Sequence, residues 1–192
     1  MVVDAKVKVL ETEECLGLEG EVVVVPTKVE INGREYTVEM DEPPFGEIHE
    51  LTLEDLKDLK LGDIPSYLTL NCETTKLGWL KLQCGYASLE MWMKPKYWRG
   101  NISIDNYLEL LKDTAVKNGF KVINDLRDEN NYMFEIGKEF SEDTTVEDAY
   151  REFQKVLDKV SVFENVVNTL VSVAVKLEGK GVNLKGKGRS ES

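Results

Sequence analysis

Between Tyr67 and Lys94 the chain alternates apolar and polar residues through three consecutive runs, and no other feature limits its fold as strongly. Leu68, Leu70, Cys72, Leu80, Leu82, Cys84, Ala87, Leu89, Met91 and Met93 share one phase. Tyr67, Thr69, Asn71, Trp79, Lys81, Gln83, Ser88, Glu90, Trp92 and Lys94 share the other. Successive side chains of a strand point to opposite faces, so the pattern predicts strands over 67–72, 77–84 and 86–94 in one sheet. One face of that sheet is a leucine and cysteine core. The other is polar but carries two tryptophans, and large rings outside a core mark an interface unless another layer covers them.

The segment that could cover them lies upstream. Val22 to Ile31, then Asn32-Gly33, then Arg34 to Met40 reads as a hairpin, because Asn-Gly tolerates the positive φ angles of a type I′ turn. Its register gathers Val25, Val29, Ile31, Tyr36, Val38 and Met40 on one face, and Pro26 suggests an edge position. A strand over 6–10 is expected to join it. Asp41-Glu-Pro-Pro-Phe-Gly46 then divides a β unit, 1–43, from an α+β domain, 44–178.

Helices are marked by their caps. Thr52 with Asp55 opens a short helix to about Leu59, and Ser103 opens another that stops before Gly119. Strands over 120–126 and 132–137 follow, joined by Asp128-Glu-Asn-Asn131. Thr144 with Glu147 opens a long C-terminal helix. The spacing supports that helix to Leu170; beyond it, Val171, Val173, Val175 and Leu177 also fit a strand. Residues 179–192 are rich in glycine and charge, without periodicity, and are expected to be disordered. The fold class is therefore α+β: an antiparallel sheet with helices on one face, a long C-terminal helix and an N-terminal β-hairpin unit. From Thr52 onward the element order is similar to that of small acidic secretion chaperones, a likeness of topology that transfers no residue roles.

Chemistry is sparse. The chain of 192 residues has a net charge of −12, yet 67–119, which holds all three tryptophans, is at +2. Acidic flanks repel a phosphate backbone, so nucleic acid is an unlikely partner. His49 is the only histidine, which excludes two-histidine metal sites. Cys15, Cys72 and Cys84 are too widely spaced for a metal or redox motif; Cys72 and Cys84 are expected in the core. Gly181 to Lys187 begins like a phosphate loop, but Gly188 stands where Ser or Thr would hold magnesium. No metal or cofactor is expected. The composition has no secretory leader and no apolar run of ~20 residues, which implies a cytoplasmic chain without membrane contact. Abundant Glu (24) and Lys (19) over Gln (2) is a thermophilic bias, though 11 Asn run against it.

These readings imply a non-enzymatic protein- or peptide-binding or assembly module that uses an aromatic sheet face. Its candidate residues are Tyr67, Trp79, Lys81, Trp92, Lys94, Tyr97, Trp98 and Arg99. A helix apolar on several sides needs a partner, so a homodimer through the C-terminal helix is expected. Two alternatives remain open: an enzyme with a carboxylate-lined cleft between the N-terminal β unit and the sheet, and a single-stranded nucleic-acid binder that stacks bases on Trp79 and Trp92.

Overall fold

The computed structural model describes residues 6–74 and 78–180. The chain first forms a three-stranded antiparallel sheet, β1 (Val7–Leu16), β2 (Val22–Ile31) and β3 (Arg34–Thr37), in that order. Asn32 and Gly33 turn β2 into β3 with φ of 49° and 83°, the two positive values that a type I′ turn needs. Val25, Val29, Ile31 and Val38 are buried as the hairpin register requires. Pro26 does not lie on an edge strand, because β2 is central. Its missing N–H is tolerated because β3 pairs only with 28–31, leaving Pro26 with β1 alone beside a register shift at Glu11/Thr12.

At Val38 the chain crosses into a second sheet of seven strands. These are β4 (Glu39–Glu42), β5 (Phe45–Leu51), β6 (Leu68–Thr74), β7 (Gly78–Gln83), β8 (Tyr86–Met93), β9 (Lys121–Arg127) and β10 (Tyr132–Glu139), arranged β4-β5-β6-β7-β8-β10-β9. Neighbours are antiparallel except β5 and β6, which run parallel. α1 (Leu53–Leu56) and a 3₁₀ turn at Leu61–Asp63 make that crossover. The Thr52/Asp55 capping box is present, but it opens only one turn of helix.

Two longer helices cover the inner face. α2 (Ile104–Lys117) starts at Ser103, whose Oγ accepts from the Asn106 N–H at 3.2 Å. Gly119, at φ 83°, stops it in the left-handed region. α3 (Val146–Gly179) is capped by Thr145, which accepts from the Asp148 N–H at 3.2 Å, one residue beyond the expected box. It is one helix of 34 residues, so 171–178 is helical despite its alternation. The reason lies in its other spacing: Phe163, Val167, Leu170, Ala174 and Leu177 also recur every three and four residues, and nothing in between breaks a helix.

A single core joins all layers. Leu68, Leu70, Leu80, Leu82, Leu89 and Met91 from the sheet meet Leu108, Leu111, Phe153 and Val156 from the helices. Each such side chain gains roughly 1.5–3 kcal/mol on full burial. Val29, Ile31 and Val38 belong to the same cluster. The N-terminal sheet therefore packs with the inner phase of the large sheet, leaving Trp92 on the outer phase exposed.

Candidate functional site

The register of the large sheet lays its outer face out in rows. One row runs Asn71, Lys81, Ser88 and Gly137 across β6, β7, β8 and β10. The next runs Glu73, Trp79, Glu90, Glu135 and Asn124, ending on β9. A third contains Trp92, Met133 and Leu126 on β8, β10 and β9.

Hydrogen bonds and an ion pair link the two polar rows. Lys81 Nζ pairs with Glu90 Oε2, and Trp92 Nε1 donates to Glu90 Oε1. Ser88 Oγ donates to Glu135 Oε1 at 2.6 Å, and Asn124 Nδ2 donates to Glu135 Oε2 at 2.7 Å. Ser88, Asn71 and Glu135 are buried by their neighbours on the face. Burial raises the pKa of Glu90, but hydrogen bonds from Lys81 and Trp92 outweigh it and hold the carboxyl below its ordinary value. Among the described residues no buried side-chain nitrogen or oxygen lacks a partner. The apolar row is different: Trp92 is 58% exposed and Leu126 59%. No polar partner closes it over.

The eight expected residues fall into three groups. Lys81 and Trp92 share the Glu90 carboxylate on the outer face, while half-buried Trp79 stands in the same row as Glu90. Lys94 and Tyr97 lie exposed at the rim, with Lys94 Nζ 5.9 Å and Lys96 Nζ 5.1 Å from the Tyr97 ring centre; Arg99 is exposed nearby. Trp98 and Tyr67 pack against the core. The Trp98 indole stacks 4.9 Å from Tyr107 and donates to the Ile102 carbonyl at 2.8 Å, which fixes the loop before α2. Leu126 and Met133 complete the row and were missed, because β9 and β10 place them beside Trp92 only after pairing. Cys84 is exposed rather than buried: β7 ends at Gln83, and the Gly85 turn carries Cys84 out of the core phase. Cys72 is buried as expected.

A second bare surface lies on α3. Its buried residues end at Val160. Beyond it Phe163, Val166, Leu170 and Val173 are exposed, Leu170 by 63%. By length and composition this helix could cross a membrane, although Glu164, Asn165, Asn168 and Lys176 interrupt its apolar stretch.

The surface also holds clefts. One of about 950 Å³ lies between α1, the β6–β7 end and the start of α3, lined by Glu54, Glu73, Trp79, Glu147 and Tyr150. A smaller one, about 350 Å³, separates the N-terminal sheet from β5 and holds Tyr36, Glu39 and His49. His49 Nε2 lies 3.6 Å from Glu39 Oε2 and 3.3 Å from Glu47 Oε2. Among the described residues no group of three or more His, Cys, Asp or Glu side chains has the arrangement to hold a metal ion. The phosphate-loop-like segment and the expected tail after Lys180 lie outside them. Comparison with known protein families, curated proteins and solved structures finds no match.

Proposed function

We propose that the chain is a self-associating protein-binding module: copies join through the distal part of α3, and the outer sheet face takes an extended protein segment. The observation that carries it is the Trp92, Met133 and Leu126 row, an apolar strip next to the sheet edge at β9 on a face whose buried polar groups have partners. An edge strand offers unpaired backbone groups to an added strand. Outward-facing side chains of that strand would lie against Leu126, and the chain continuing across the face would reach Met133 and Trp92, the anchor; buried tryptophans carry a large share of binding energy at such contacts.

The test is selection of extended peptides from a displayed library, followed by titration against Trp92→Ala and Leu126→Ser. Loss of at least tenfold in affinity, about 1.4 kcal/mol, is expected for each. Selected peptides that bind both variants like the parent would sink the reading.

A second reading, an acid–base enzyme, rests on His49 held between Glu39 and Glu47 at the mouth of the smaller cleft. It requires turnover of a panel of esters or phosphoesters that disappears in His49→Gln. Equal turnover by both proteins, or none by either, removes it.

A further inference from the structure

The larger cleft, at about 950 Å³, has the size of a small-molecule site, for which volumes run from roughly 300 to 1,000 Å³. Three parts of the fold line it. β5 and β6 run parallel and end side by side, with Leu51 opposite Cys72, so Glu50 and Glu73 reach the cleft from neighbouring strand ends. Glu73 pairs with Trp79 across β6 and β7, and cross-strand partners hold their Cβ atoms about 5 Å apart. From the opposite side come Glu147 and Tyr150, three residues apart at the start of α3 and therefore on one side of the helix. The two rings, both half-buried, thus stand among carboxylates.

Not all of these carboxylates are free to hold a ligand. Glu54 is neutralised by Lys57 at 2.6 Å, and Glu147 by Arg151 at 2.9 Å. Among the described residues Glu50 and Glu73 have no ion-pair partner, and both are exposed to the cleft. Two negative charges therefore remain beside the rings. They repel an anion, and a neutral ligand would leave both unanswered.

Among cations, the lining favours one with an apolar body. The faces of Trp and Tyr rings attract ammonium groups, Trp most strongly. Leu53 adds apolar surface between them, against which a methylene chain can lie as a lysine stem does. A bare metal ion would use neither the rings nor the leucine, and the described residues hold no metal-binding arrangement. An alkyl di- or polyamine uses all of them: its ammonium groups match the two carboxylates, and its methylenes match the rings and Leu53.

We propose that this cleft binds a free alkyl di- or polyamine, with Glu50 and Glu73 holding its ammonium groups and Trp79 and Tyr150 flanking its methylenes. The site is separate from the outer-face strip and from distal α3, so it stands or falls independently of the function proposed above. Isothermal titration of the full chain with spermidine, in about 0.15 M salt, is expected to show one saturable site. Glu50→Gln with Glu73→Gln is expected to weaken it by about tenfold or more, the scale of a lost charge-assisted bond. Trp79→Leu is expected to do the same. Glu13→Gln with Glu14→Gln removes equal charge from an exposed stretch of β1 and is expected to leave binding unchanged. Circular dichroism checks the fold of each variant; Glu50 and Glu73 are exposed, so their pair decides if Trp79→Leu does not fold. Equal weakening by both glutamine pairs would show the amine following the net charge of −12 and overturn the site. Binding untouched by the Glu50/Glu73 pair, magnesium bound as tightly as spermidine, or no saturable binding overturns it too. A trilysine peptide that binds the cleft where spermidine does not makes it a contact for basic proteins and overturns the free-amine site.

Discussion

Glu90 ties Lys81 and the Trp92 indole into one arrangement, so its titration reads the state of the outer face. Its folded pKa lies below 4.5, so its contribution is complete above that value and is lost as pH falls through the folded pKa. Lys81 is the opposite case: desolvation lowers its pKa, but Glu90, Glu135 and Glu47 raise it further. Its contribution is therefore complete below 10.5 and lost as pH rises through the folded value. The pair holds across neutral pH and opens first in acid. Trp emission is expected to shift below pH 4.5 in the parent, and this component should vanish in Glu90→Gln; an identical acid profile in the variant would refute the linkage. The stability at stake is small, about 1 kcal/mol or less, as for most ion pairs open to solvent. Alkali acts on the core instead. Burial pushes Cys72 up to about 11 and Tyr107 up to about 12, so both favour the folded state below their ordinary values and lose that effect as pH rises through the folded ones. Loss of stability is expected from about pH 9 upward, measurable by urea unfolding at stepped pH. At neutral pH an aromatic disulfide reagent is expected to label Cys84 rapidly and Cys72 only on unfolding; rapid labelling of Cys72 would contradict its burial.

Among the elements, Gly78 allows the close approach of β7 to β8. A Cβ at that position would sit 1.8 Å from the Glu90 carbonyl oxygen, a backbone atom that no side-chain rotation can clear. Gly78→Ala is expected to destabilise the protein by about 3 kcal/mol, at the upper end for overpacking, with thermal unfolding as the readout; a change under about 0.5 kcal/mol would show that the strands separate freely. The sequence marked this pair of strands because alternation is strict there. It missed β5 because the period breaks inside the strand: Glu50 adopts φ 62° and shifts the register between Ile48 and Leu51. Half of the candidate face was readable for the same reason. Trp79, Lys81 and Trp92 declare their phase within one run of residues, whereas Leu126 and Met133 reach it only through pairings of β10 with β8 and β9, which no local pattern encodes. Trp98 was misplaced at the rim because a loop has no period, and the indole turned inward onto Tyr107. In α3 two periods coexist after Leu170, and continuity with the buried turns before Val160 decides for helix.

At the scale of the whole molecule, α3 runs from the core into the surface proposed for self-association. Val146, Ala149, Phe153, Val156 and Val160 fill the interior, and the same helix continues, without a break, to the exposed Phe163, Val166, Leu170 and Val173. Unfolding the body therefore removes the first half of the helix that carries this apolar surface, and the proposed association would protect folded bodies. Only the folded chain offers this surface intact, so the proposed association would stabilise it by mass action. If copies join in pairs, each tenfold increase in protein concentration adds about 0.7 kcal/mol per chain. For a chain of this length that corresponds to about 1–3 °C in the melting midpoint. Differential scanning calorimetry of the parent over a hundredfold concentration range is expected to follow that slope. Leu170→Lys, which leaves the interior untouched, should melt at one temperature throughout, at or below the parent's lowest value. A parent midpoint independent of concentration would mean that α3 ends in solvent, and that its valines and leucines carry no assembly.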